Sequence, residues 1–132
     1  MATRFLIIGG GPAGNTAASF AARLGASVTV VEREVIGGAA HLLDCIPSKT
    51  MIATGGAMSF LRRSTGMGLE QASATVDTEA LTTRIEGIKS HLGSGVTELL
   101  RSQGVRMVRG SARFVTPRAV EALRGEAARS AS

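Results

Sequence analysis

The sequence predicts an α/β fold built on a parallel sheet, and three observations carry that prediction. A short apolar run, Phe5 to Ile8, breaks into Gly9-Gly10-Gly11. From Pro12 the pattern changes, and Ala13, Ala17, Ala18, Ala21, Ala22 and Leu24 recur at the three- and four-residue steps of a helix face. Ser27 to Glu32, SVTVVE, then has the β-branched content of a buried parallel strand. Strand, glycine turn, helix and strand in that order make a βαβ unit.

The later elements follow from local chemistry. Gly25 is the expected stop of the first helix. A loop rich in Gly and Ala is expected from Arg33 to Asp44. Pro47 suits the first turn of a helix, where its missing N–H costs nothing, so a second helix is expected from Pro47 to Arg63, broken by STGMG at 64–68. Asp77 is placed to cap a third helix, whose apolar residues Leu81, Ile85, Ile88, Leu92, Val96, Leu99 and Leu100 keep a helical rhythm towards Gly104. VRMVRGSARFV, Val105 to Val115, reads as a strand pair or as one strand broken at Gly110. Beyond Thr116-Pro117 the Ala- and Arg-rich RAVEALRGEAARSAS reads as a short helix with a frayed end. Residues 1–116 are therefore expected to form the N-terminal part of a nucleotide-binding domain, with 117–132 as a tail outside it or a truncated continuation of it.

At 132 residues the expectation is one domain with one core. Hydrophobic residues make up 44% and charged ones 19%, proportions of a packed globule rather than a disordered chain. With no Trp or Tyr and only four Phe, the core must be aliphatic. The net charge of +5 comes from scattered basic residues with no interleaved aromatics, which argues against nucleic-acid binding. No apolar run approaches the roughly 18 residues of a membrane span, and FLII is too short for a signal peptide, so a soluble, cytoplasmic protein is expected. The single cysteine, Cys45, excludes an internal disulfide framework and a cysteine-rich metal site, and no metal is expected.

Gly9-x-Gly11-x-x-Gly14 sits in the setting that gives such a motif meaning. A strand leads in, a helix leads out, and a second strand ends in an acid, Glu32, eighteen residues past the third glycine. Gly9 permits the tight turn, Gly11 lets the backbone approach a pyrophosphate, and Gly14 lets helix and strand pack closely. The helix N-terminus offers unpaired N–H groups and a positive dipole end to the phosphates. Glu32 can accept hydrogen bonds from both ribose hydroxyls, and its charge disfavours a 2′-phosphate. FAD or NAD, rather than NADP, is the nucleotide expected here.

Downstream lies GGAAHLLDCIPSKT, Gly37 to Thr50. Together with the glycine turn and Glu32, this stretch resembles the pyridine nucleotide–disulfide oxidoreductases of the dihydrolipoyl dehydrogenase and glutathione reductase type, over roughly Arg4 to Phe114. Their motif resembles GGTCLNVGCIPSK. Gly37, Gly38, Cys45, Ile46, Pro47, Ser48 and Lys49 match it, while Ala39 and Ala40 replace Thr and the first Cys, and His41 to Asp44 replace LNVG. The resemblance implies a Rossmann-like FAD-binding domain, present here as its N-terminal portion, in a longer homodimeric parent that uses NAD(P)H. It also implies that the missing sulfur is the one that attacks a disulfide substrate, and that Cys45 is the one lying against the flavin. Dithiol–disulfide cycling needs both sulfurs. The subgroup with a GGAA…DC(I/V)PSK stretch implies hydride transfer from NAD(P)H through FAD to a quinone-like acceptor.

The cofactor-contacting set expected on these grounds is Gly9, Gly11, Pro12, Ala13, Gly14, Glu32, Arg33, Gly37, Gly38, Ala39, Lys49 and Ala112, with Cys45 and Lys49 as the catalytic pair. The resemblance places Lys49 near the flavin N5 and Gly110 and Ala112 at a turn against the adenine. Read from the residues alone, Cys45 has two accounts. At the start of the Pro47 helix, the dipole and Lys49 favour its thiolate while Asp44 opposes it; otherwise it is a small inert buried cysteine. His41 is expected to be a loop residue and His91 a solvated one. Two competing functions stand beside the reductase: a thiol enzyme using Cys45, and a non-catalytic nucleotide-binding module.

Overall fold

The computed structural model describes residues 2–64, 67–69, 74–117 and 119–123. The chain runs β1 (Arg4–Ile8), α1 (Pro12–Arg23), β2 (Ser27–Glu32), a π-helical turn (Ala40–Cys45) that continues into α2 (Ile46–Arg63), α3 (Thr78–Ser102), β3 (Arg106–Arg109), β4 (Ser111–Thr116) and β5 (Ala119–Leu123). β1, β2 and β3 form a parallel sheet in that order, with β2 in the middle. β4 and β5 form a separate antiparallel pair.

One row across the sheet explains where the core sits. Ile7 lies beside Val30, and Val30 beside Met107, so the three strands present one apolar line to the same face. α1 brings Ala18, Ala21 and Ala22 to that face, and α3 brings Val96 and Leu100. The alanine stripe of α1 thus lets the helix approach the sheet closely, while the larger residues of α3 fill the remaining volume. On the opposite face Leu6 and Ile8 share a cavity of about 360 Å³ with Phe114, Pro117 and Val120. The α/β class and the parallel sheet follow the expectation from sequence.

Three local expectations are corrected. The loop expected to run to Asp44 is already helical from Ala40, through the π-helical turn. Ala39-Ala40 and Leu42-Leu43 are strong helix formers, and no glycine or proline interrupts residues 39–46. VRMVRGSARFV holds two strands that do not pair with each other: β3 joins the parallel sheet, and the chain turns at Gly110 (φ 154°) into β4 of the other pair. The short helix expected past Pro117 is strand β5 instead. Its Val120 pairs with Phe114, and Glu121 Oε2 meets Arg113 Nη2 at 2.8 Å, so cross-strand pairing overrides the helix propensity of Ala, Glu and Leu. The expected frayed end, 124–132, lies outside the described residues.

Asp77 caps α3 as expected, its Oδ1 accepting from Ala80 N–H at 2.9 Å. Leu81, Ile85, Ile88, Leu92, Val96 and Leu100 face inward to varying degrees, but Leu99 is exposed.

Candidate functional site

The glycine turn is held from several sides. Gly9 N–H donates to Val31 O at 2.8 Å, which carries the parallel ladder one residue beyond β1. Gly10 N–H then donates to Glu32 Oε2 at 2.6 Å, and Glu34 N–H to Glu32 Oε1 at 2.7 Å. The Gly10 carbonyl accepts from Gly37 N–H and from Asn15 Nδ2, each at 2.8 Å. The end of β2, the turn after β1 and the loop before α2 are therefore tied together through one glycine.

Beside this knot opens a cleft of about 440 Å³ lined by Ile8, Gly9, Gly11, Pro12, Val31, Glu32, Arg33, Glu34, Gly38, Ala39, Ala40, Gly110, Ser111 and Ala112. Two helix starts meet here: α1 begins at Pro12, and the π-helical turn begins at Ala40. Both present the positive end of a helix dipole and first-turn N–H groups, which suits an anion. Gly38 makes this approach possible. Its φ is +89°, and a Cβ there would lie 2.8 Å from Gly11 Cα.

Of the residues expected to contact a cofactor, Gly9, Gly11, Pro12, Glu32, Arg33, Gly38, Ala39 and Ala112 line this one cleft. Gly14 does not. Its hydrogen faces β1, where a Cβ would collide with the Gly9 carbonyl oxygen, so it serves helix–strand packing. Gly37 is buried and acts through its bond to Gly10. Ala13 is exposed on α1 outside the lining, and Cys45 and Lys49 stand on the helix that leads away from it. Lys49 is exposed and makes no ion pair among the described residues. His41 and His91 are both exposed, but His41 lies on the π-helical turn rather than in a loop.

Cys45 is half-buried, with its carbonyl accepting from Ser48 Oγ at 3.2 Å. It is not at a free helix start. The π-helical turn stands in front of it, so the dipole's positive end falls at Ala40 and away from the thiol. That removes the dipole from the reasons to expect a thiolate.

Glu32 is part-buried and doubly engaged. Burial raises its pKa, but the surrounding backbone N–H groups, those of Glu34 and Gly10 bonded directly and those of Arg33 and Val35 nearby, together outweigh burial and lower it below the ordinary glutamate value. Each carboxylate oxygen keeps a second lone pair, so ribose hydroxyls remain acceptable donors. A folded-state pKa below the unfolded one adds stability above the unfolded value and loses it as pH falls through the folded one. Wild type is therefore expected to lose more thermal stability than Glu32→Gln between about pH 5 and about pH 3. Parallel melting curves would contradict this clamp.

Asn15, Gly10 and Ser111 are not among the residues that the sequence singles out. For Asn15 a signal existed: asparagine is a poor residue for a helix interior, and it follows the last motif glycine directly. A second, larger cleft of about 1020 Å³ lies between the Glu34–Ile36 loop, Leu42, α3 and β3. Its Glu34, Glu86 and Glu98 face Lys89, Arg101 and Arg109, so it carries no marked preference for one charge. Among the described residues no group of three or more His, Cys, Asp or Glu could hold a metal ion, and no helix is long and apolar enough to cross a membrane.

Comparison with known proteins points the same way as the cleft. Residues 3–130 match the family model described as pyridine nucleotide-disulphide oxidoreductase. Dihydrolipoyl dehydrogenase 2 of Haloarcula marismortui is 37% identical over 123 residues, covering 93% of this chain and 26% of that protein. An NAD(P)H dehydrogenase (quinone) of Mycobacterium tuberculosis is 37% identical over 120 residues, covering 87% of this chain and 24% of that protein. The crystal structure of LpdA from Mycobacterium tuberculosis superposes with a TM-score of 0.78 at 33% identity, over 92% of this chain and 28% of that one. The chain spans about a quarter of the length of the relatives it matches.

Proposed function

The chain belongs to the pyridine nucleotide-disulphide oxidoreductase family, and from that premise we propose that it is the FAD-binding portion of a flavin-dependent reductase that works without a redox disulfide. In this reading hydride from NAD(P)H reaches a quinone-like acceptor through the flavin, in a homodimeric, cytoplasmic parent.

The observation that carries it is the π-helical turn. Ile46 N–H bonds to His41 O, five residues back, so residues five apart stack on one face. That is the spacing of positions 40 and 45, and position 40 is alanine. A dithiol site of the kind the resemblance implies would need sulfur at both positions, and the sequence has it only at Cys45. With no sulfur at position 40, Cys45 cannot close a disulfide there.

The cleft suits the adenosine diphosphate half of FAD. Glu32 offers acceptors for ribose, the two helix starts offer donors for the pyrophosphate, and Gly38 keeps the wall between them thin. Arg33 at the rim is paired with Glu34, its Nε 3.3 Å from Oε1, so the helix starts and not a side-chain charge provide for the pyrophosphate. FAD, when bound, supplies the two-electron relay between nicotinamide and acceptor. Lys49, carried over from the resemblance, would place a cation near the flavin N5, where negative charge develops on reduction.

A second reading, thiol–disulfide exchange using a sulfur from outside these residues, is favoured by the retained Cys45 and by relatives named dihydrolipoyl dehydrogenase. One substitution separates the two. In a full-length protein carrying this segment, Cys45→Ala should keep most of the rate of NADH-dependent quinone reduction. Collapse of that rate, together with inactivation of the unmodified protein by alkylation, would establish the thiol reading instead.

A further inference from the structure

Two observations single out Asn15 beyond the motif glycines. Its Nδ2 donates to the Gly10 carbonyl at 2.8 Å, alongside Gly37 N–H, while its Oδ1 is enclosed and accepts no hydrogen bond among the described residues. An enclosed acceptor without a partner destabilises a fold, and an apolar side chain of similar size would avoid that cost. What the asparagine supplies in return is its donor.

The effect of that donor follows from peptide planarity. The Gly10 carbonyl and the Gly11 N–H belong to one trans peptide, in which the two groups point in opposite directions. Asn15 and Gly37 hold the carbonyl inward, so the Gly11 N–H is turned to the other side. Gly11 lines the nucleotide cleft, and its N–H has no partner among the described residues. The plane before it, between Gly9 and Gly10, is locked in turn by the bond from Gly10 N–H to Glu32. We propose that Asn15 is a positioning residue that aims the Gly11 N–H at a phosphate oxygen of a nucleoside diphosphate group.

This rests on the cleft being a nucleotide site, and the test separates the two claims. ADP is titrated calorimetrically, and adenosine by NMR, into the 132-residue chain and into Asn15→Leu, with Asn15→Ala as the smaller substitution should leucine not fit. Removing the donor should weaken ADP by about tenfold, the worth of one good charge-assisted hydrogen bond, and leave adenosine within about twofold. Thermal stability of the unliganded leucine variant should equal or exceed wild type, because the enclosed oxygen is gone. ADP affinity unchanged in both variants would overturn the assignment of Asn15 alone. Equal weakening of ADP and adenosine would also overturn it, since that pattern belongs to a general structural role. A wild type that binds neither ADP nor FAD would overturn the nucleotide site and the assignment with it.

Discussion

Replacing Gly14 with alanine is expected to abolish ADP binding and to destabilise the fold by about 3 kcal/mol, at the upper end of overpacking costs. The new methyl group would run into the Gly9 carbonyl oxygen, with the Gly9 carbonyl carbon at 3.1 Å and Ile7 Cγ2 at 3.4 Å. The obstacle is backbone, and it cannot turn away. The Gly9 carbonyl shares its peptide plane with Gly10 N–H, which is bound to Glu32, and Gly9 N–H is bound to Val31. Relief requires α1 to move off β1, which opens the turn and withdraws the helix start from the cleft. Urea unfolding and ADP calorimetry on the same preparation check both parts. A wild-type midpoint with undiminished affinity would show that α1 and β1 are not packed as described.

Leu100→Ala is expected to cost about 3 kcal/mol, within the range for buried leucines. Leu100 is 1% exposed, and among the described residues it and Val30 are the largest fully buried side chains. It joins α3 to the row Ile7, Val30 and Met107, so the loss leaves a cavity between helix and sheet. A few kcal/mol is a large share of the stability of a small domain. Leu100 touches none of the cleft, so ADP affinity should hold wherever the variant is folded. A change below about 1 kcal/mol in urea titration would mean that the helix settles onto the sheet and closes the gap.

The parts of the fold that were legible in the sequence share a cause: their signals are local. SVTVVE is rich in β-branched residues because β2 has a strand on each edge, and its bounds are the expected ones, Ser27 and Glu32. Asp77 announced the cap of α3, and the glycine spacing announced the turn. The stretch past Pro117 misled because its residues favour a helix in isolation, while β4 offers them a partner that no local pattern encodes. Leu99 continues the apolar rhythm of α3 in sequence, yet it is 52% exposed, because the sheet meets only part of the helix surface.

The site divides along the same line. The sequence by itself determined that a phosphate-binding turn is present, that an acid stands at the end of β2, and that position 40 lacks the sulfur position 45 retains. Residue identity and spacing are enough for those, because glycine freedom, charge and thiol chemistry belong to single residues. Only the tertiary structure decided that Glu32 clamps Gly10 and that Asn15 and Gly37 converge on the same peptide. Those facts depend on the meeting of separate chain segments, and the free energy that aligns them comes from packing α1 and α3 on the sheet through core residues outside the motif.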